Sequence, residues 1–462
     1  MNDRTKEKQQ NGLATVVRHP LGVWSGGREL AWVAAYLALV SLPLVLLLLG
    51  EMPPAVGFWW DFSMGLGFAG LAVIGMQFAL TARFPRLTSP FGIDVIYVFH
   101  RYLAWVGMGL VAAHFSILWL FHHEALGALN PLEARWELTS GRVSLTMFAL
   151  AVVTSQWRKA LKLEYGLWRY AHVAFATLGF GAAVAHILGV GNYTSTPTKA
   201  ALWLVVTLSW LCLILWVRLF KPWRQMQTPY RVQEVRPEAA GAITLVLEPD
   251  GHEGMPTFKA GQFAWLTIGA NPFLLREHPF SIASAPEALP RLCFGIKALG
   301  DFTSRLRDIA PGETAYLDGP YGVFSVDSFP HAAGYAFIVG GIGVTPAISM
   351  LRSLAARGDR RPLWLFYGNN SLEDVIYGEE LDDLASRLDL RVIHVVKEPP
   401  EGWEGESGFL DGDILARHLV DDKSGLVFFL CGPPPMTKAA REALLRLGVR
   451  ADSIRAEIFE LV

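Results

Sequence analysis

Six apolar stretches occupy the first 220 residues of this chain, and they limit its fold more than any other feature. From residue 29 to 82 the only charged residues are Glu29, Glu51 and Asp61. Two runs there, about 30–50 and 58–82, are each long enough to cross the ~30 Å hydrocarbon core of a bilayer. Four more lie near 95–121, 141–157, 167–190 and 199–220, the fourth span of the six being short and ending at Trp157-Arg158. Backbone surrounded by lipid must satisfy its own polar groups, so runs of this length predict transmembrane helices. Composition agrees: only 18% of the 462 residues are charged, against roughly 25% in soluble domains, and 52% are hydrophobic.

Residues 1–28 are polar and basic with no apolar core or cleavage site, which predicts a retained cytoplasmic segment rather than a signal peptide. Arg4, Lys6, Lys8, Arg18 and Arg28 precede the first span, and Arg83 and Arg86 join the second to the third. Arg158, Lys159, Lys162 and Arg169 join the fourth to the fifth, and Arg218, Lys221 and Arg224 follow the sixth. All four groups fall on one side, so the positive-inside rule predicts that both termini are cytoplasmic, in a bacterial inner (plasma) membrane. A net charge of −2 offers no basic field for nucleic acid. Cys212, Cys293 and Cys431 lie too far apart in sequence for a CxxC pair, which excludes a disulfide framework and a thiolate zinc site. Redox chemistry would have to come from a cofactor.

Four histidines inside the spans suggest one. His100 and His114 lie on the third span and His172 and His186 on the fifth, each pair 14 residues apart. Fourteen helical steps return a side chain to within ~40° of the same face, ~21 Å further along. The third and fifth spans run in the same direction, so His100 is level with His172, and His114 with His186. Two planes of paired imidazoles are the ligand set of two bis-histidine haems, six-coordinate centres suited to electron transfer. Ionisable groups are expensive in lipid, which weighs against a bland interhelical role for four matched histidines. Gly107 and Gly179 lie seven residues from each ligand and leave room for macrocycles or for close packing. Arg101 and Arg169, beside the inner ligands, are candidate propionate partners, although positive-inside bias explains them equally well. His122 and His123 read as exposed loop residues.

After Lys221-Pro222 the texture changes. Short runs near 230–235, 242–248, 262–268, 279–284, 291–297 and 313–318, separated by Gly, Pro and Asp, predict a six-stranded antiparallel β-barrel. From about 335, strands alternate with helical patterns, which predicts an α/β doubly wound parallel sheet with strands at Tyr335–Gly340, Pro362–Tyr367, Leu390–Val396, Leu426–Cys431 and near 453–459. Gly340-Gly341-Ile342-Gly343-Val344-Thr345-Pro346 follows a buried strand and opens a helix, where backbone N–H groups accept a pyrophosphate. Cys431-Gly432-Pro433-Pro434-Pro435-Met436 ends another strand on the same edge, so both would border one crevice, though Cys431 could equally be a packing residue. In the barrel, His278-Pro279-Phe280-Ser281 begins a strand, Lys297 to Thr303 (KALGDFT) ends one and opens a short helix, and Gly319-Pro320-Tyr321-Gly322 closes the domain.

The order of six spans with two histidine pairs, HPFS, KALGDFT, GPYG, GGIGVTP, CGPPPM and a C-terminal aromatic resembles the ferric reductase and NADPH oxidase superfamily, in particular its compact bacterial ferric-reductase-like members. The resemblance implies a segment at 1–28, a transmembrane haem domain at 29–222, a ferredoxin-reductase-like FAD barrel at 228–330 and an NAD(P)-binding domain at 331–462. It implies two b-type haems on His100, His114, His172 and His186, with His100 and His172 on the cytoplasmic side. His278, Pro279, Phe280 and Ser281 would contact the FAD ring and ribityl phosphate, and Gly300 to Thr303 the flavin pyrophosphate, with Lys297, Gly319 and Pro320 bordering the site. Gly340, Gly341, Gly343, Thr345 and Pro346, together with Cys431, Gly432 and Pro433, would hold the nicotinamide nucleotide, and Phe459 would stack on the flavin until nicotinamide displaces it. Tyr367-Gly368-Asn369-Asn370 stands where related reductases often carry an arginine for a 2′-phosphate, so the resemblance does not choose NADPH over NADH. The expected activity passes electrons from NAD(P)H through FAD and two haems to an outer-face acceptor: a ferric chelate, dioxygen or a periplasmic protein. A haem-free membrane-tethered flavin reductase and a nucleotide-sensing transporter are the rival readings.

Overall fold

The computed structural model describes residues 27–49, 52–84 and 92–457. Six long helices come first: α1 (Gly27–Leu48), α2 (Phe58–Thr81), α3 (Ile93–Phe121), α4 (Trp136–Gln156), α5 (Tyr165–Val190) and α6 (Pro197–Leu215). All six are long and apolar enough to cross a membrane. Large apolar side chains point outward along them, among them Leu42, Leu120, Leu178 and Val205. A surface this apolar is stable against lipid and not against water. Inside, α2 packs along α3 and α4 along α5. Phe68, Leu71, Ile74, Phe148, Phe180, Trp203 and Trp210 form the bundle core.

The fourth span begins at Trp136, five residues before the expected 141. Its first turns carry Glu137 and Arg142, which break the apolar run. Glu137 is nonetheless buried and pairs with Arg135, and Arg142 donates to the carbonyls of Leu126 and Leu129, so the helix accommodates both. A π-helical turn, Trp216–Phe220, and the short α7 (Lys221–Met226) lead out of the bundle.

The barrel has strands β1 (Tyr230–Pro237), β2 (Ala242–Pro249), β3 (Phe263–Ile268), β4 (His278–Ser281), β5 (Leu292–Lys297) and β6 (Thr314–Tyr321), in the order β4-β3-β6-β1-β2-β5. Every pairing is antiparallel. An isolated bridge between Ile282 and Phe294 links the two edge strands. Leu245, Leu247, Leu266, Ile282, Leu292 and Phe294 fill the interior. The short α8 (Asp301–Arg305) lies between β5 and β6.

The last unit is a parallel sheet, β10-β9-β8-β7-β11-β12 in spatial order. Its strands are β7 (Gly334–Gly340), β8 (Leu363–Asn369), β9 (Leu390–Val396), β10 (Glu406–Ser407), β11 (Leu426–Cys431) and β12 (Ile454–Glu457). Helices α9 (Val344–Ala356), α10 (Gly378–Arg387), α11 (Gly412–His418) and α12 (Pro434–Arg446) connect them. The central strands are buried along their whole length, as β7 and β11 show, because helices cover both faces. Chain order reverses between β7 and β11, which opens a crevice at their carboxyl ends.

Candidate electron-transfer site

In the bundle His100 of α3 faces His172 of α5. The His100 and His172 ring centroids are 6.4 Å apart, with the rings inclined by 75°. An imidazole nitrogen lies ~1.1 Å from its ring centre and a metal–nitrogen bond is ~2.0 Å, so two rings facing each other across one metal stand ~6.2 Å apart. The observed spacing fits.

Second-sphere hydrogen bonds orient three of the rings. His114 Nδ1 lies 2.8 Å from the Ser63 carbonyl, and His186 Nδ1 lies 2.8 Å from the Glu137 carbonyl. A carbonyl only accepts, so Nδ1 carries the proton and Nε2 keeps its lone pair for a metal. His172 Nδ1 lies 3.0 Å from Ser155 Oγ, whose own proton goes to the Ala151 carbonyl. Ser155 therefore accepts from His172, and the tautomer is the same. His100 Nδ1 alone has no protein partner among the described residues.

The glycines on the histidine stripes serve close packing and not a macrocycle. A Cβ on Gly107 would sit 2.8 Å from Ile74, and one on Gly179 would sit 2.9 Å from Phe148. The glycines against the His114 and His186 rings are Gly67 and Gly141: a Cβ there would meet His114 at 3.2 Å and His186 at 2.8 Å. Arg101 is exposed. Arg169 is not directed at the imidazoles; it donates to the Leu275 carbonyl and pairs with Glu277 of the barrel. Arg169, in the second turn of α5, thus contacts the barrel. His122 packs its ring edge-on to Trp60 at 5.4 Å, and His123 is exposed.

The barrel turns β4 and the end of β6 toward the bundle. The His278 ring stacks on Phe302 at 4.0 Å, and Phe280 also faces Phe302, so the HPFS and KALGDFT segments meet. Burial, reinforced by Arg169 and opposed by Glu277, moves the His278 pKa down and favours the neutral ring. Pro279 and Phe280 are half-buried and Ser281 is buried. Thr303 Oγ1 accepts from the amides of Leu299 and Gly300, which fixes the turn leading into α8. Lys297 is half-buried at the end of β5. A Cβ on Gly319 would sit 2.9 Å from Ala264, so only glycine allows β6 to approach β3 there, with Pro320 following.

At the crevice of the parallel sheet the two glycine motifs touch. A Cβ on Gly343 would fall 2.4 Å from the Cys431 carbonyl oxygen, and one on Gly340 would fall 3.1 Å from Pro433. Gly341 adopts φ 53, a left-handed conformation that glycine tolerates. Thr345 donates to the Ile342 carbonyl at 2.9 Å and lies against Gly295 of the barrel, with Pro346 buried behind it. Gly432 is half-buried and Pro433 exposed at the crevice rim. Cys431 is fully buried, and burial, with Glu457 adding to it, pushes its thiol pKa well up. Its side chain packs in the core of the parallel sheet, and the raised pKa favours the neutral thiol. Phe459 lies outside the described residues, as do the 1–28 segment up to residue 26 and Arg86.

Comparison with known proteins follows the same division. Residues 66–183 match the ferric reductase like transmembrane component, residues 251–325 an FAD-binding domain, and residues 337–442 the oxidoreductase NAD-binding domain. The reductase component of propane 2-monooxygenase from Rhodococcus jostii is 32% identical over 235 residues, 48% of this chain and 61% of that protein. NADH-cytochrome b5 reductase 1 of Pyricularia oryzae is 32% identical over 155 residues, 33% of this chain and 50% of that one. The chain thus spans half to 61% of the length of these relatives. A flavohemoglobin structure from Malassezia yamatoensis shares 18% identity at a TM-score of 0.47, over 86% of this chain and 97% of that one.

Proposed function

From a chain that has the ferric reductase/NADPH oxidase-like architecture, a ferric-reductase-like membrane component followed by FAD-binding and NAD-binding domains, we propose a transmembrane NAD(P)H oxidoreductase carrying two b haems. It takes electrons on the cytoplasmic side and delivers them to a ferric chelate or dioxygen at the outer face. Both termini would face the cytoplasm, a placement that the four basic groups beside the spans support. His100 with His172 and His114 with His186 would hold the haems. His278–Ser281, Lys297, Gly300–Thr303 and Gly319-Pro320 would hold FAD, and Gly340–Pro346 with Cys431–Pro433 the nicotinamide nucleotide. When bound, FAD would accept a hydride and return its two electrons singly, and the haems would carry them one at a time across the membrane.

The protein's own contribution is positioning. Glycines 340, 341 and 343 would let backbone amides approach a pyrophosphate. Ser63, Ser155 and the Glu137 carbonyl hold three imidazoles in the metal-binding tautomer. Arg169 ties the start of α5, three residues before His172, to the residue preceding His278. The observation that carries the reading is the 6.4 Å spacing of the His100 and His172 rings.

Purified protein should show a b-type band in its dithionite-minus-oxidised spectrum, about two haems per flavin, and haem reduction on anaerobic NAD(P)H addition. His172→Ala should lose one haem and halt electron flow to the outer face. Full haem content and normal flow in that variant would refute the pairing, and a flavin spectrum without any haem band would refute the reading as a whole.

A further inference from the structure

Among the described residues, every ion pair that joins the helix bundle to the barrel has its cation on the bundle side and its carboxylate on the barrel side. Arg83, just beyond α2, lies 3.0 Å from Glu277 and 3.4 Å from Asp318. Lys221, in the first turn of α7, lies 2.8 Å from Asp318. Arg169 pairs with the same Glu277. Tyr321 completes the network by donating to Asp318 at 2.6 Å while receiving from Lys221 at 2.8 Å. The Arg83 guanidinium also lies over the Trp265 ring at 3.8 Å and donates to Tyr97 at 3.2 Å. None of these groups is solvated in the usual way: Arg83 and Arg169 are 13% exposed, Glu277 14% and Asp318 10%.

We infer that Arg83, Arg169, Lys221, Glu277 and Asp318 form a latch that holds the flavin-binding barrel in register with the His100/His172 end of the bundle, as positioning residues for electron transfer between them. This inference rests on the function proposed above. Sequence proximity gives the latch its purpose. Glu277 immediately precedes His278 of β4, and Arg169 precedes His172 by three residues, ~4.5 Å along the helix. One ion pair therefore connects the flavin strand to the helix bearing an inner ligand.

A buried ion pair roughly breaks even as a source of stability, because desolvation offsets the Coulomb gain. Its distinctive contribution is direction, since charged hydrogen bonds are short and angularly demanding. The apolar contact beside it, formed by Ile93, Phe263, Trp265 and Tyr321, supplies adhesion that is largely indifferent to a small slide. The network sets the register. Backbone geometry agrees, because Arg83 adopts φ 54, a left-handed conformation that side-chain-bearing residues enter only when their surroundings impose it.

Arg83→Gln and Lys221→Gln, each outside the proposed cofactor contacts, test the latch in the full-length holoprotein. Anaerobic stopped-flow should show flavin reduction by NADH within ~2-fold of wild type, while the following haem reduction slows several-fold, because transfer between two held groups depends on their placement. Arg83→Lys, which keeps the charge, should recover most of that loss. Amide hydrogen exchange across residues 272–277 should rise by at least ~10-fold in the glutamine variants, a readout independent of turnover. If Arg83→Gln does not fold, Lys221→Gln alone decides. Wild-type haem reduction and wild-type exchange in the folded variants would overturn the latch. Wild-type protein that binds no haem would overturn the functional reading instead, and the exchange measurement would still judge the latch.

Discussion

Gly141→Ala puts the outer histidine pair under a defined strain. The added methyl would lie 2.8 Å from His186 Nδ1 and 3.1 Å from two ring carbons, closer than such atoms approach. The ring cannot simply turn away, because its Nδ1 donates at 2.8 Å to the carbonyl of Glu137, which lies one turn before Gly141 on α4. Either the imidazole backs off and the hydrogen bond stretches, or α4 moves away from α5. Overpacking of this kind costs about 1–3 kcal/mol. Helix propensity acts oppositely: alanine in place of an interior glycine favours the helix by about 1 kcal/mol. The fold should therefore survive with little net change, and the penalty should appear where the ring must hold its position. Taken as lost affinity, it is about 5- to 150-fold weaker binding of the outer haem. Pyridine haemochrome titration of the purified variant should give a haem-to-flavin ratio falling from two towards one, with flavin reduction by NAD(P)H unchanged. Gly65→Ala and Gly181→Ala, where an added Cβ meets nothing within 4 Å, serve as controls. Two haems retained at wild-type affinity and an unchanged outer-haem spectrum would refute the reasoning.

Other perturbations address other parts of the chain. Gly343→Ala drives a methyl to 2.4 Å from the Cys431 carbonyl, a backbone atom that cannot yield, so the two crevice motifs must separate. The KM for NAD(P)H, measured with a soluble artificial acceptor, should rise at least ~10-fold while FAD content stays normal. Arg352 of α9 forks onto Glu380 at 2.6 Å and also donates to the barrel carbonyl of Ala283 at 2.8 Å, joining the two soluble units. Arg352→Ala should cost about 1–3 kcal/mol, read as earlier thermal release of flavin fluorescence. Burial tends to raise the Glu277 pKa, but Arg83 and Arg169 outweigh it and hold the carboxyl below its usual value. A carboxyl depressed on folding contributes stability that is present above its unfolded pKa and lost as pH falls through the lower folded one. Hydrogen exchange across 272–277 should therefore be flat from pH 8 to 5 after correction for intrinsic rates, and should rise only below the ordinary glutamate value of about 4.3.

The folded architecture was largely legible because its signals are periodic. Apolar runs gave six helices, and alternating or buried runs between turn residues gave the six barrel strands and five of the six strands of the parallel sheet; the two-residue β10 and the short α11 are too brief to leave a periodic signal. The start of α4 was misjudged by five residues because Glu137 and Arg142 look like an exit from the membrane when read in line. Their partners, Arg135 and the Leu126 and Leu129 carbonyls, become visible only in space. Histidine spacing on two separate helices made the approach of His100 to His172 readable, whereas the groups that orient the rings left no trace. Ser63 and Ser155 are ordinary serines in an apolar helix, and a backbone carbonyl such as that of Glu137 has no sequence signature at all. Periodicity on one helix likewise cannot say which neighbour faces a glycine. Gly107 and Gly179 share a stripe with the histidines yet abut Ile74 and Phe148, while Gly67 and Gly141 abut the rings from other helices.

The same limit applies to the basic residues beside the spans. In sequence Arg83, Arg101, Lys159 and Arg169 are equivalent, each satisfying the positive-inside bias. That bias requires a charge on the cytoplasmic side, which solvent meets at almost no cost. Arg101 and Lys159 conform and are exposed. Burial opposes the charge on Arg83, yet Tyr97, Glu277 and Asp318 more than compensate and hold its pKa above the ordinary arginine value. A residue needed only as a topology signal would not require three partners to stay charged in a buried place. Glu277 lies 194 residues along the chain from Arg83, so no local pattern could distinguish the docking arginine from the solvated one. Of the basic residues beside the spans, Arg83, Arg169 and Lys221 are those that meet carboxylates of the barrel among the described residues.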